Sequence, residues 1–231
     1  YYYLFILLFS CLTVKLFDIY RSSNIGLFLN STENYAFVPF GIPAFKLEYV
    51  EKVLDVELIQ TSLAGSSLIK ILSAINNNGM LVSNLAEHYE LQKISNYGIN
   101  VSKLSSNYTS VGNLVVANDH GAIASTLLNE DSISQIKQKL KVDVFQMNIA
   151  THLNVGSVLV ASNSGAIIHP EATESEITKV SEILNVDVFP CTINGGIPYV
   201  SSGIVLNSKN ALIGSSTTGT ELMMITKAFD L

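Results

Sequence analysis

The chain has 231 residues, 48% of them hydrophobic and only 14% charged, with a net charge of −6. That much apolar material can fill a substantial core. The 13 Lys and Arg residues are scattered, which excludes a broad basic surface able to neutralise nucleic-acid phosphates. Two cysteines, Cys11 and Cys191, make neither a disulfide framework nor a metal-ligand spacing.

Tyr1 to Val14 is almost wholly apolar. It is too short for a membrane span of about 20 residues, and no basic segment precedes it. Residues 1–14 are expected to form an apolar extension and 15–231 a single five-repeat domain. Asn30, Asn100 and Asn107 each open an N-x-Ser/Thr sequence. Together with the apolar head they would suit a secreted, glycosylated repeat protein.

From Gly26 one pattern recurs: a small residue opens an apolar strand, polar residues turn, and a second apolar run follows nine or ten positions later. The copy from Gly26 to Tyr35 continues into Ala-Phe-Val, and Tyr49 to Gln60 reads as a helix running into a strand. Lys70 to Gly79, then Met-Leu-Val, is the second copy, followed by a helix over Leu85 to Tyr97. Gly112 to Gly121 is the third. Ile133, Ile136 and Leu140 then lie on one face of a helix over Asp131 to Leu140, and Val142 to Phe145 alternates like a half-buried strand. Gly156 to Gly165 is the fourth, its turn at Asn163-Ser164-Gly165. Thr173 and Glu176 form a capping box for the helix to Leu184, and Asn185 to Pro190 repeats Lys141 to Gln146 almost letter for letter. Ser201 to Asn210 is the fifth, and Glu221, Leu222, Ile225 and Phe229 mark a closing helix.

The anchors at 26, 70, 112, 156 and 201 are 44, 42, 44 and 45 residues apart, a period that signals a repeat architecture. The Gly26 hairpin has no helix before it, and the chain ends in a helix with no hairpin after it. If that last helix packs beside the first hairpin, the two ends complete one unit. Neither end resembles a solenoid cap. The expected fold is therefore α/β, a closed five-fold pseudosymmetric αβ propeller, without exposed sheet edges. Gly121 and Gly165 are expected to supply positive φ at hairpin tips, and Gly112 and Gly156 close approach near a crowded axis.

Chemistry-bearing residues are sparse. His88, His120, His152 and His169 fall in different repeats without metal-ligand spacing, so no metal is expected. Cys191 follows an apolar strand and reads as a small buried hydrophobe. Thr61 to Ser67 is Ser/Gly-rich but lacks the lysine of a phosphate loop, and no nucleotide cofactor is expected. Asn113 stands where the other copies have Leu27, Ile71, Ser157 and Ser202. Asn76, Asn77 and Asn78 crowd one turn, and Asn194-Gly195-Gly196 fills a link. Amide-rich loops at one end of a ring suit a protein or RNA contact surface. Turn formation alone accounts for each asparagine equally well.

Taken in order, Thr61-Ser-Leu-Ala-Gly-Ser, Gly112-Asn-Leu-Val-Val-Ala-Asn-Asp, Val155-Gly-Ser, Ile168-His-Pro and Thr217-Thr-Gly-Thr-Glu-Leu resemble the translation initiation factor 6 family. The resemblance runs from about residue 15 to Leu231 and implies the pentein fold, a five-fold αβ propeller. It implies binding rather than catalysis: attachment to the large ribosomal subunit through a ribosomal protein beside the sarcin–ricin loop, with limited rRNA contact. Such binding blocks the small subunit, and in eukaryotes accompanies subunit maturation from nucleolus to cytoplasm. It implies a monomer with no membrane partner and no cofactor. By motif, the ribosome-facing residues are Gly26, Asn76, Gly79, Leu81, Asn113 and Val158. The family often carries Arg where this chain has Ile71, Asn77 and Gly195, which favours protein-mediated docking. The rival within the same architecture is a guanidine-modifying enzyme, for which only Cys191 offers a nucleophile outside the apolar head.

Overall fold

The structure, a computed structural model, describes residues 14–231. The expected extension lies outside these residues except for Val14, and so does Cys11. Five three-stranded sheets follow the repeat. The first unit contains hairpin β2 (Asn30–Ser31) and β3 (Tyr35–Val38), helix α1 (Ala44–Leu54) and strand β4 (Glu57–Gln60). The second has β5 (Ser73–Asn76), β6 (Gly79–Val82), α2 (His88–Ser95) and β7 (Val101–Lys103). The third has β8 (Val115–Ala117), β9 (Gly121–Ala124), α3 (Glu130–Leu140) and β10 (Asp143–Gln146). The fourth has β11 (Leu159–Ala161), β12 (Ala166–Ile168), α4 (Glu174–Leu184) and β13 (Val188–Pro190). The fifth has β14 (Ile204–Leu206), β15 (Ala211–Gly214) and α5 (Gly219–Phe229), and takes its last strand, β1 (Val14–Phe17), from the other end of the chain.

In every unit the hairpin is antiparallel and the strand after the helix returns parallel to the second hairpin strand. Strand β1 pairs with β15, Val14 opposite Ala211 and Phe17 opposite Gly214. The two chain ends thus share one unit as expected, but the N-terminus contributes a strand, not the Gly26 hairpin. That hairpin keeps its own helix, α1, because the residues ahead of it are the strand that α5 lacks. The last unit also touches the first: Ser31 Oγ donates to the Leu206 carbonyl at 2.7 Å.

Local chemistry starts and stops the helices. Thr173 with Glu176 and Thr218 with Glu221 form reciprocal capping boxes, and the Asn129 side chain accepts from the Ser132 N–H. Asp55, Lys141, Asn185 and Asp230 end their helices in the left-handed region. Each helix buries its apolar stripe against the sheet of the preceding unit, so the core is split into clusters that straddle unit boundaries. Leu81 packs with Ile136 and Leu140, Ile123 with Val180 and Leu184, and Ile167 with Ile225 and Phe229.

The hairpin glycines follow from the same packing. Gly79, Gly121 and Gly165 press on the carbonyls of Lys139, Ile183 and Ala228 in the next unit's helix, and a Cβ would overlap them. Gly121 and Gly165 have ordinary φ, so close approach rather than a left-handed turn demands glycine there.

Candidate functional site

A short helical turn precedes four of the five hairpins: Ile25–Leu27, Val111–Leu114, Val155–Val158 and Val200–Gly203. In the second unit, Ile69 to Leu72 form an irregular turn. These segments meet around the axis. A Cβ on Gly26 would overlap the Ser201 carbonyl, one on Gly112 the Lys70 carbonyl, and one on Gly156 the Gly112 carbonyl. The backbone anchors are therefore packed together, and the next residue of each copy turns outward. Leu27, Ile71, Asn113, Ser157 and Ser202 are all partly exposed at this end.

Tight turns frame the same end. Tyr20 and Arg21, Ala64 and Gly65, Ala150 and Thr151, and Asn194 to Gly196 all hold positive φ. Carboxylates from the following helix fix three of these turns. Glu90 accepts from the Ala64 and Gly65 N–H groups, Glu176 from that of Ala150, and Glu221 from those of Gly195 and Gly196. Burial pushes the Glu221 carboxyl up, but hydrogen bonds from Thr218, Thr192 and Gly196 outweigh it and bring its pKa to about 2. The turns are thereby rigid supports for the face they frame.

Segments 20–28, 64–71, 107–114, 150–157 and 194–202 contain no acidic residue, and Arg21 and Lys70 are their only fixed charges. Leu153, Ile197 and Tyr199 are exposed among them at 42%, 40% and 47%. Charge depletion combined with exposed aromatic and aliphatic groups is the composition of a protein-contact core. Asn113 makes no side-chain hydrogen bond among the described residues, so its amide is free to donate and accept. Ser202 Oγ is buried without a partner.

The expected site residues divide. Gly26, Asn113 and Val158 gather at this axial end. Gly26 is packed under Ser201 and Val158 is fully buried, so of the three only Asn113 presents a side chain. Asn76, Gly79 and Leu81 belong to one hairpin. Leu81 is fully buried, Gly79 abuts Lys139, and the Asn76 amide donates to Asn118 and Leu140. Asn194 is likewise committed, donating to the Ser23 carbonyl and accepting from Thr217. Sequence reasoning missed the partnership of Asn118 with Asn76, although both stand three residues before a hairpin glycine. It also passed over Lys70 as an anchor larger than its counterparts.

The residues considered for chemistry have structural roles. Cys191 is 2% exposed and donates to the Thr192 carbonyl; burial pushes its thiol up to about 11, and Glu221 adds to the rise. His169 is buried, its Nδ1 accepting from the Glu171 N–H, with its ring against His152. The Asn30 amide is buried and donates to Ser73 Oγ, out of reach of glycosylation in the folded chain. Among the described residues no cluster of three or more His, Cys, Asp or Glu could hold a metal, and no helix is long and apolar enough to cross a membrane.

Residues 14–228 match the profile of the eIF-6 family. Translation initiation factor 6 of Nitrosopumilus maritimus is 46% identical over 214 residues, covering 92% of this chain and 97% of that protein. Translation initiation factor 6 of Cenarchaeum symbiosum is 44% identical over 215 residues, again covering 92% and 97%. Among solved structures, a dimethylarginine dimethylaminohydrolase adduct with S-methyl-L-thiocitrulline aligns at a TM-score of 0.49 and 10% identity, over 79% of this chain and 76% of that one.

Proposed function

The chain belongs to the eIF-6 family of translation initiation factors, and from that premise we propose that it binds the large ribosomal subunit and keeps the small subunit from joining it. The supporting observation is the nearly charge-free axial face, with Asn113 as its uncommitted amide. Such a face suits a ribosomal protein better than rRNA, because phosphate contact needs clustered Lys and Arg and the face segments carry only Arg21 and Lys70. The proposed partner is accordingly a ribosomal protein near the sarcin–ricin loop, with rRNA contact confined to the neighbourhood of Arg21. The blocking is steric: a body of this size on the joining face excludes the other subunit without chemistry. The chain acts as a monomer in the cytoplasm, and in a nucleated cell would join the large subunit during its nucleolar assembly.

Of the motif-matched residues, Asn113 carries direct contact in this proposal. Gly26 and Val158 shape the face from beneath, while Asn76, Gly79 and Leu81 hold the ring that presents it. The test is cosedimentation with purified large subunits, together with a subunit-joining assay. Binding should survive a rise from 50 to 200 mM salt with less than about a tenfold loss, since few phosphates are neutralised. Failure both to cosediment and to reduce joining would refute the proposal.

A further inference from the structure

Lys70 occupies the anchor position that Gly26, Gly112, Gly156 and Ser201 hold in the other units. It lines a cavity of about 60 Å³ on the axis, enclosed by the inner hairpin strands and large enough for several water molecules. The polar side chains beside it are already committed. Asn30 donates to Ser73 Oγ, Ser73 donates to the Ile69 carbonyl, and Ser31 donates to the Leu206 carbonyl.

The Lys70 ammonium has no acceptor and no ion-pair partner among the described residues, and no acidic residue lines the cavity. The side chain keeps some accessible surface, yet burial pulls its pKa from 10.5 down to about 8. Lys70 is among the residues that line the cavity, which accounts for surface on a side chain otherwise surrounded by protein. At neutral pH the amine is still mostly protonated, leaving an uncompensated cation beside a space that can hold an ion.

The cavity continues past Ile75, Ala117 and Ala161 to a mouth at the hairpin tips, where Glu33 and Asp119 stand. Glu33 accepts from the Ser208 N–H, and Asp119 from the Asn77 N–H and Asn163 Nδ2. These are the titratable groups facing the channel besides Lys70; carboxylates there disfavour anions in proportion to their charge, polyanions most of all.

We propose that the axial cavity is a binding site for a small monovalent anion, of the charge and size of chloride, nitrate or formate, held on the Lys70 ammonium. One unpaired cation sets the valence, and the cavity has room for a small ion with water beside it. The cavity opens at the hairpin tips, the end opposite the docking face, although Lys70 belongs to a segment that frames that face.

Bromide is the probe. In crystals of the full chain grown with bromide, an anomalous peak is expected within about 3.5 Å of Lys70 Nζ, a charge-assisted contact lengthened by the larger radius of bromide. In solution, replacing gluconate by bromide at constant ionic strength should raise Tm by about 3 °C, following mass action on a folded-state site. K70S, which restores the residue found at 201, should lose both effects, and K70M should lose them while keeping the bulk. Absence of an axial peak in the wild type overturns the proposal. So does a peak or a Tm rise that persists unchanged in K70M, which also serves if K70S does not fold.

Discussion

Asn118 Nδ2 donates to the Leu184 carbonyl at 2.8 Å, sealing the last turn of a helix that belongs to the next repeat unit. The same amide group also reaches the Ser162 carbonyl, while its oxygen accepts from the His120 and Gly121 N–H groups of its own turn. Asn76 repeats this on Leu140, and Asn207 on Leu54. One side chain thus forms a hairpin, caps a neighbour's helix and fixes the distance between two units.

Asn118→Ala should accordingly lower stability by about 2–4 kcal/mol, because several buried partners are left unpaired together. Asn76→Ala should behave alike. Asn113→Ala should change stability by less than about 0.5 kcal/mol and weaken large-subunit binding instead. Urea melts read beside cosedimentation separate the two classes. Equal destabilisation by all three substitutions would remove Asn113 from the proposed contact surface.

Gly156→Ala should cost about 3 kcal/mol or more, since the added methyl meets the Gly112 carbonyl at the axis, where neither backbone can yield. Gly219→Ala is the control: a Cβ there meets nothing, and the residue opens helix α5. That substitution should stabilise by up to about 1 kcal/mol. Thermal melts of the two variants check both signs.

The Glu221 carboxyl has a folded pKa of about 2, below its unfolded value of about 4.5. A depressed carboxyl contributes stability above the unfolded pKa and loses it as pH falls toward the folded one. Glu221→Gln should therefore cost about 2 kcal/mol at pH 7, and the gap to the wild type should close between pH 4.5 and 2. A constant gap across that range would mean that the Glu221 charge is not what holds the Gly195–Gly196 turn.

For Lys70 the sign is opposite. Its folded pKa of about 8 lies below the ordinary 10.5, so burial opposes the charged form. Between those values the unfolded chain binds more protons, and stability from this group rises with pH. In low-halide buffer Lys70→Met should be more stable than the wild type at pH 7, with the difference shrinking toward pH 10. Denaturation at matched ionic strength follows it.

Cys191→Ala should leave subunit binding unchanged. With its thiol pushed up to about 11, Cys191 in the native chain should react with iodoacetamide at pH 7.5 far more slowly than after unfolding. Fast native labelling would contradict the buried setting.

The sequence by itself determined the unit and its number. Hydrophobic period, capping pairs such as Thr173 with Glu176, and the near-copy of Lys141–Gln146 at Asn185–Pro190 are local signals, readable because a helix or hairpin is specified within a dozen residues. Helix α3 and strand β10 lie within one residue of where periodicity put them. Only the tertiary structure decided that β1, not the Gly26 hairpin, completes the last sheet, since pairing Val14 with Ala211 is a contact between chain ends with no local trace. It also decided which asparagines are committed: Asn76, Asn113 and Asn118 look alike in the chain and differ only in what the neighbouring unit offers them. Gly121 is the same case, its need for glycine set by the Ile183 carbonyl of another helix. What a residue does alone is written in its type and spacing; what it does across a unit boundary depends on backbone atoms that only the packing of one unit on the next brings into reach.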